Sequence, residues 1–234
     1  MSKNTSTEES SMKDYLKHKY EQEFEVGEIQ EFNRGFAAGK LIQAKATPSS
    51  KNQMVFIISR ESNHSNYEDS YSELLQERFV MELFSSHLSE LDENLKYYIK
   101  TAYIGDFRGK EEIELNKLNP SFVISIPVEP KYNKDDYIEK IQNFIYSIEN
   151  EEVGYYRVRI DFVEKKHIDI IEQYIELSQK HLTQVELKEK NFSEVKSQYE
   201  QNIIGKFVYD SKDVDFENNP NFIRSLFNKR YEGR

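Results

Sequence analysis

The sequence predicts an α+β protein, and three observations predict it. Apolar residues recur at helical spacing in some stretches and alternate with polar ones in others. The two kinds of stretch are interspersed, and most consecutive strands are joined by short turns that suit antiparallel pairing. The expected order is an N-terminal helix, an antiparallel β-meander covered by a long helix, a β-α-β-α unit and a short mixed C-terminal segment.

Residues 1–11, MSKNTSTEESS, are small, polar or charged and read as a flexible polar linker. A helix is predicted from Ser11, because Ser11 and Asp14 have capping-box spacing and Met12, Tyr15, Leu16 and Tyr20 then share a face. Period two begins with Phe24 and Val26 and continues, after a bulge, through Ile29 and Phe32 to the turn Asn33, Arg34, Gly35. Phe36, Ala38, Ile42, Ala44 and Ala46 share the parity of a second strand. The run from Met54 to Ser59 is apolar on both faces, as a central strand would be. After the loop ESNHSN, a long helix over 67–91 carries Tyr71, Leu75, Phe79, Leu83 and Leu88 on one side. Leu95, Tyr97, Ile99, Thr101 and Tyr103 alternate as a fourth strand. Residues 12–107 thus form one α+β unit, 108–120 a charged connection and 121–234 a second unit that could pack with the first as one body.

In that second unit Phe122 to Val128 is a strand, and Tyr137, Ile138, Ile141, Phe144, Ile145 and Ile148 mark a helix. Tyr156, Val158, Ile160 and Phe162 alternate with Arg157, Arg159 and Asp161 as a half-buried strand. Ile168, Ile171 and Ile175 mark another helix, and a strand-helix-strand order permits a parallel pair through a crossover. Further on, the pattern predicts a short strand around Val185 and Leu187, a helix over 192–199, a strand in IIGKFVY and a last helix after Pro220.

Composition excludes several classes of function. The 234 residues include 16 Tyr and 15 Phe, enough aromatic mass for a core. Charged residues make up 32%, and the net charge of -10 repels phosphate backbones, so no nucleic-acid partner is expected. The cations Arg224, Lys229, Arg230 and Arg234 read as complements to the dipole of a C-terminal helix. Absence of Cys removes disulfides, thiolate nucleophiles and Cys-ligated zinc. No apolar run is long enough to span a bilayer as a helix.

Motifs that carry chemistry are missing too. There is no glycine-rich phosphate loop, no G-x-S-x-G elbow and no H-E-x-x-H helix. His18, His64, His87, His167 and His181 lack the paired spacing of a metal site. Asp213, Asp215 and Glu217 alternate as calcium ligands can, but an EF-hand from Asp213 would need glycine in place of Asn218 and glutamate in place of Arg224. They read as the charged face of an edge strand. No catalytic residue, metal or cofactor is expected. The candidate partner-binding surface comprises Tyr97, Tyr98, Tyr103, Tyr155 and Tyr156, large stiff amphipathic side chains suited to protein recognition, with His64 in its loop.

Three stretches, DYLKHKYEQEFEV (14–26), KATPSSKNQMVFIIS (45–59) and NYEDSYSELLQERF (66–79), resemble the ectodomain of uncharacterised Gram-positive cell-surface lipoproteins of Bacillus-like and Staphylococcus-like bacteria. The resemblance rests on Tyr15, Leu16, Tyr20, Phe24, Pro48, Phe56, Asp69 and Tyr71, and departs from those proteins at Glu21, where they have glycine. It implies a body held at the extracytoplasmic face of the cell membrane by a lipid anchor that would precede Ser2. It also implies a non-enzymatic accessory or immunity factor that binds another protein, a basic one by charge. The alternatives are a cytoplasmic immunity or antitoxin protein and an enzyme with a dispersed active site, in which His64 or another histidine would stand beside paired carboxylates.

Overall fold

A computed structural model describes residues 3–35, 39–50, 54–105, 107, 113–212 and 219–227. In chain order the first elements are α1 (Lys3–Tyr20), β1 (Phe24–Val26), β2 (Gln30–Asn33), β3 (Lys40–Pro48), β4 (Phe56–Glu61), β5 (Glu68–Asp69), α2 (Tyr71–Leu91) and β6 (Lys96–Tyr103). There follow β7 (Leu118–Val128), α3 (Asp135–Asn150), β8 (Arg157–Glu164), α4 (Ile168–Gln179), α5 (Gln184–Glu189), α6 (Phe192–Gln201), β9 (Ile203–Asp210) and α7 (Pro220–Ser225). The α+β class is as predicted. The strands form two sheets, and the chain divides into two compact units.

The first unit comprises residues 1–75, 107–112 and 180–192. Its sheet is the predicted meander: β3 pairs antiparallel with β4, Ala44 opposite Ile58, and on its other edge with both β1 and β2. Alternation sends Phe24, Val26, Ala44, Ala46, Phe56 and Ile58 to one face, where they bury Met12, Leu16 and Tyr20 of α1. Each such side chain contributes about 1.5–3 kcal/mol by burial.

The second unit comprises residues 76–106, 113–179 and 193–234. Its sheet has the order β6-β7-β8-β9, with β7 and β8 parallel, Ile124 opposite Ile160, and joined through α3 as the strand-helix-strand pattern predicted. Phe122, Ile124, Val158, Ile160, Phe162 and Phe207 bury Phe84 and Leu88 of α2 and Ile141, Phe144 and Ile148 of α3. Gly205 is required by packing. A Cβ there would lie 1.8 Å from the hydroxyl of Tyr132, whose ring stacks on Phe162.

Several expectations are corrected. Residues 3–11 are helix rather than flexible linker, and α1 begins at Lys3 rather than Ser11. The Ser11 hydroxyl caps nothing and donates back to the Thr7 carbonyl at 3.0 Å. Glu8 anchors this end, accepting from Arg60 at 2.6 and 2.7 Å and from the Tyr67 hydroxyl at 2.9 Å. Cover for the meander comes from α1; α2 adds only its first turn, through Tyr71, Leu74 and Leu75. The strand predicted around Val185 and Leu187 is the helix α5. Thr183 and Glu186 close a capping box there, and local capping outweighs a two-residue alternation. The division falls within α2, not at 108–120, and 180–192 belong to the first unit. Phe36, Ala38, the cluster Asp213, Asp215 and Glu217, and the cations Lys229, Arg230 and Arg234 lie outside the described residues.

Candidate binding sites

At one end of the second unit's sheet lies a cavity of about 600 Å³, lined by Ile104, Asn116, Glu149, Glu152, Val153, Gly154, Tyr155, Tyr156, Tyr209 and Ser211. Its floor is the C-terminal end of α3, the negative end of the helix dipole, where cations are favoured. This helix has none in its last turn and presents Glu149, with Glu151 and Glu152 just beyond. No cation pairs with Glu149 or Glu152 among the described residues. Glu152 also holds a φ of 52°, a left-handed position at a helix end that glycine normally takes.

The backbone around these carboxylates is fixed by close contacts. Gly154 N–H donates to the carbonyls of Leu115 and Leu118, at 3.1 and 3.0 Å, and a Cβ on Gly154 would lie 2.6 Å from Oδ1 of Asn119. Tyr155 N–H donates to that same Asn119 oxygen at 2.8 Å, and Tyr156 N–H to the Ser211 hydroxyl at 2.8 Å. The Tyr155 ring is thereby held at the rim, 55% exposed, and Ile104 is equally exposed. Lys212 lies 5.9 Å from the Tyr155 ring centre. Tyr156 is buried and donates a short hydrogen bond to Glu149. Burial, reinforced by that carboxylate, pushes the Tyr156 hydroxyl far above its ordinary pKa.

The tyrosines singled out in the sequence do not share one face. Tyr97 and Tyr103 are half-buried against the core, and burial raises the Tyr97 pKa. Tyr98, on the opposite face of β6, meets the Tyr174 hydroxyl at 3.2 Å. Only Tyr155 presents an exposed ring, beside the buried Tyr156. His64 belongs to the other unit, in an exposed turn with Nδ1 3.5 Å from Glu61.

Sequence spacing gave no sign of two buried carboxylates. In the first unit, Asp69 follows from the pairing of β5 with β4, which turns its side chain inward. It accepts from Tyr20 at 2.6 Å, Tyr15 at 3.0 Å, Lys19 at 2.8 Å and the Tyr71 amide at 3.1 Å. It borders a cavity of about 470 Å³ together with Tyr15, Lys19, Ile57, Ser59, Tyr67, Glu68, Ser70 and Glu73. Burial lowers the Lys19 pKa, but the Asp69 hydrogen bond and charge outweigh it, so Lys19 stays an ammonium. Burial and the Asp69 charge raise the hydroxyls of Tyr15 and Tyr20.

In the second unit, Asp161 is fully buried instead of half-exposed as the alternation of β8 suggested. Arg159 grips both its oxygens, at 3.0 and 2.7 Å, and Tyr199 donates at 2.8 Å while also bonding Ser125. Lys206 lies 3.9 Å away, its pKa lowered by burial. Burial and the Asp161 charge hold the Tyr199 hydroxyl well above its ordinary value. The Tyr174 ring stacks on Tyr199 at 4.0 Å.

No family model matches the chain, and no curated protein matches it. Among solved structures it is similar to a DUF5037 family protein from Ruminococcus gnavus ATCC 29149. That chain shares 14% identity over 97% of this chain and 99% of its own, with a TM-score of 0.50. At that identity the likeness shows the fold alone.

Proposed function

We propose that the protein is a binding module that takes a basic segment of a partner protein at the cavity beside Tyr155. One observation carries the reading: two solvent-facing side chains, Ile104 and Tyr155, rim a cavity whose Glu149 and Glu152 pair with no cation among the described residues, Lys212 lying at the Tyr155 ring instead. Charge at a helix end of the wrong sign costs stability, and an incoming arginine or lysine would relieve it. Lys212 already lies over the Tyr155 ring, so the carboxylates meet the incoming cation while Tyr155, Ile104 and Val153 suit its aliphatic stem. The net charge of -10 steers a basic partner toward the protein.

Placement at the outer face of a membrane through a lipid anchor, in an accessory or immunity role, is supported by the resemblance to lipoproteins. The composition of residues 1–11 no longer adds to it, since α1 begins at Lys3. A cytoplasmic immunity protein would use the same cavity in the same way.

The test is calorimetric titration with an arginine- and leucine-containing decapeptide and its glutamate-for-arginine counterpart. Saturable binding of the first peptide alone, weakened about tenfold or more by Tyr155→Ala and by Glu152→Gln, is expected. Equal binding of both peptides, or no effect of either substitution, would overturn the reading.

A further inference from the structure

The Ser70 hydroxyl, immediately before α2, is not spent on capping that helix. Asp69 serves there, its Oδ1 accepting the Tyr71 N–H at 3.1 Å. Ser70 Oγ instead accepts the Ile57 N–H at 3.1 Å and meets Nδ1 of His181 at 3.0 Å. His181 comes from 111 residues away, in the segment of the first unit that leads to the Thr183 cap. Ser70 also lines the 470 Å³ cavity that holds Tyr15 and Lys19.

A serine hydroxyl is a weak nucleophile until a neighbouring base takes its proton during attack. An imidazole nitrogen at 3.0 Å is within reach for that transfer. With the Ile57 N–H on one lone pair of Oγ, the hydroxyl proton and the other lone pair remain for base and electrophile. The start of a 21-residue helix favours negative charge developing at Ser70. Lys19 directs protons to Asp69 and to the Tyr15 hydroxyl, and its ammonium has a third to offer an oxyanion.

From this geometry we infer that Ser70 is an acyl-accepting nucleophile with His181 as its general base, acting on small carboxylic esters bound in the first unit's cavity. In the first step Ser70 Oγ bonds to the ester carbonyl carbon while its proton passes to His181 Nδ1. The bond to the alkoxy oxygen then breaks, and that proton leaves with it as the alcohol. In the second step water adds to the acyl carbon and gives its proton to His181. The Ser70 oxygen departs, recovers that proton, and the carboxylic acid is released. Glu68 and Glu73 at the cavity favour neutral or cationic esters over anionic ones. This role rests on the first unit alone and is independent of the binding proposed for the second.

The test is incubation of the full chain with a fluorophosphonate, followed by intact mass and peptide mapping. One phosphonyl adduct on Ser70 is expected, formed at least about a hundredfold more slowly in a His181→Gln chain of unchanged circular dichroism. No adduct on the native chain after hours at millimolar probe, or an adduct mapped elsewhere, would overturn the inference. So would labelling of His181→Gln at the native rate. Mapping on the native chain decides the matter even where a variant fails to fold.

Discussion

Asp69 and Asp161 are both carboxylates removed from water, the first held by two tyrosine hydroxyls and Lys19, the second by one tyrosine hydroxyl with Arg159 and Lys206, and their surroundings differ. The Asp161 side chain is fully buried, Arg159 takes both its oxygens, and Tyr199 and Lys206 complete the shell. Asp69 lies at the wall of a cavity, held by a lysine whose side chain keeps 30% of its exposure. A buried carboxylate with its charge fully answered by fixed partners specifies packing. One that borders a cavity can pass part of its field to whatever enters. The difference is the cavity beside Asp69 and the second cation beside Asp161, since both carboxylates are buried while Lys19 and Arg159 keep 30% and 22% of their exposure.

The largest effect expected follows from removing the better enclosed charge. Asp161→Asn leaves the Arg159 guanidinium and the buried Tyr199 hydroxyl without the carboxylate that both are bonded to. It should cost about 3–5 kcal/mol, read by urea unfolding. The matching change Asp69→Asn should cost less, about 1–3 kcal/mol, because it strands one cation, Lys19, where Asp161→Asn strands Arg159 and leaves Lys206 beside it. Hydrogen exchange followed by mass spectrometry assigns each loss to its own unit. Equal losses in the two variants would remove the distinction drawn between them.

What was legible in the sequence follows the range of the interaction. Strand parity in Ala44–Ala46 and in Val158–Phe162 is local, and both stretches pair as the alternation predicted. The capping box of Thr183 and Glu186 is local as well, and it outweighs the alternation of Val185 with Leu187 that overlaps it. The helical start of α1 was not legible, because 3–11 carry no apolar stripe and Glu8 finds Arg60 only through the fold, 52 residues on. Tyr155 is singled out in the sequence by residue type alone, and the structure places its ring exposed at a cavity rim. The carboxylates that give its cavity a sign were not legible, since Glu149 and Glu152 gain meaning only from the end of α3. Asp69, Ser70 and His181 converge through sheet pairing and the return of 180–192, which no spacing rule anticipates.

Alkaline pH sharpens the same comparison. Burial raises the hydroxyls of Tyr15 and Tyr20 around Asp69 and of Tyr199 beside Asp161, in each case helped by the aspartate charge. A raised folded-state pKa keeps the proton on after the unfolded chain has lost its own. That stability is complete below about pH 10, where free tyrosine ionises, and is lost as pH rises past it. The tyrosinate absorbance lost from Tyr15→Phe, Tyr20→Phe and Tyr199→Phe chains, each compared with the native chain, should therefore develop above that pH together with the change in circular dichroism. Ionisation of those same hydroxyls near pH 10 with the ellipticity intact would show that they are not held by the fold.

The smallest effect separates stability from binding at the cavity of the second unit. Glu152 occupies a left-handed position, φ 52°, where a side chain costs about 1 kcal/mol relative to glycine. It also adds a negative charge at the negative end of α3. Glu152→Gly should therefore raise the unfolding free energy by about 1 kcal/mol while weakening the arginine-containing peptide. Under the proposed function, a carboxylate that costs the fold this much is offset by the cation it would bind. If Glu152→Gly instead destabilises the protein and leaves peptide affinity intact, the carboxylate serves the fold, and the cavity loses its claim on a basic partner.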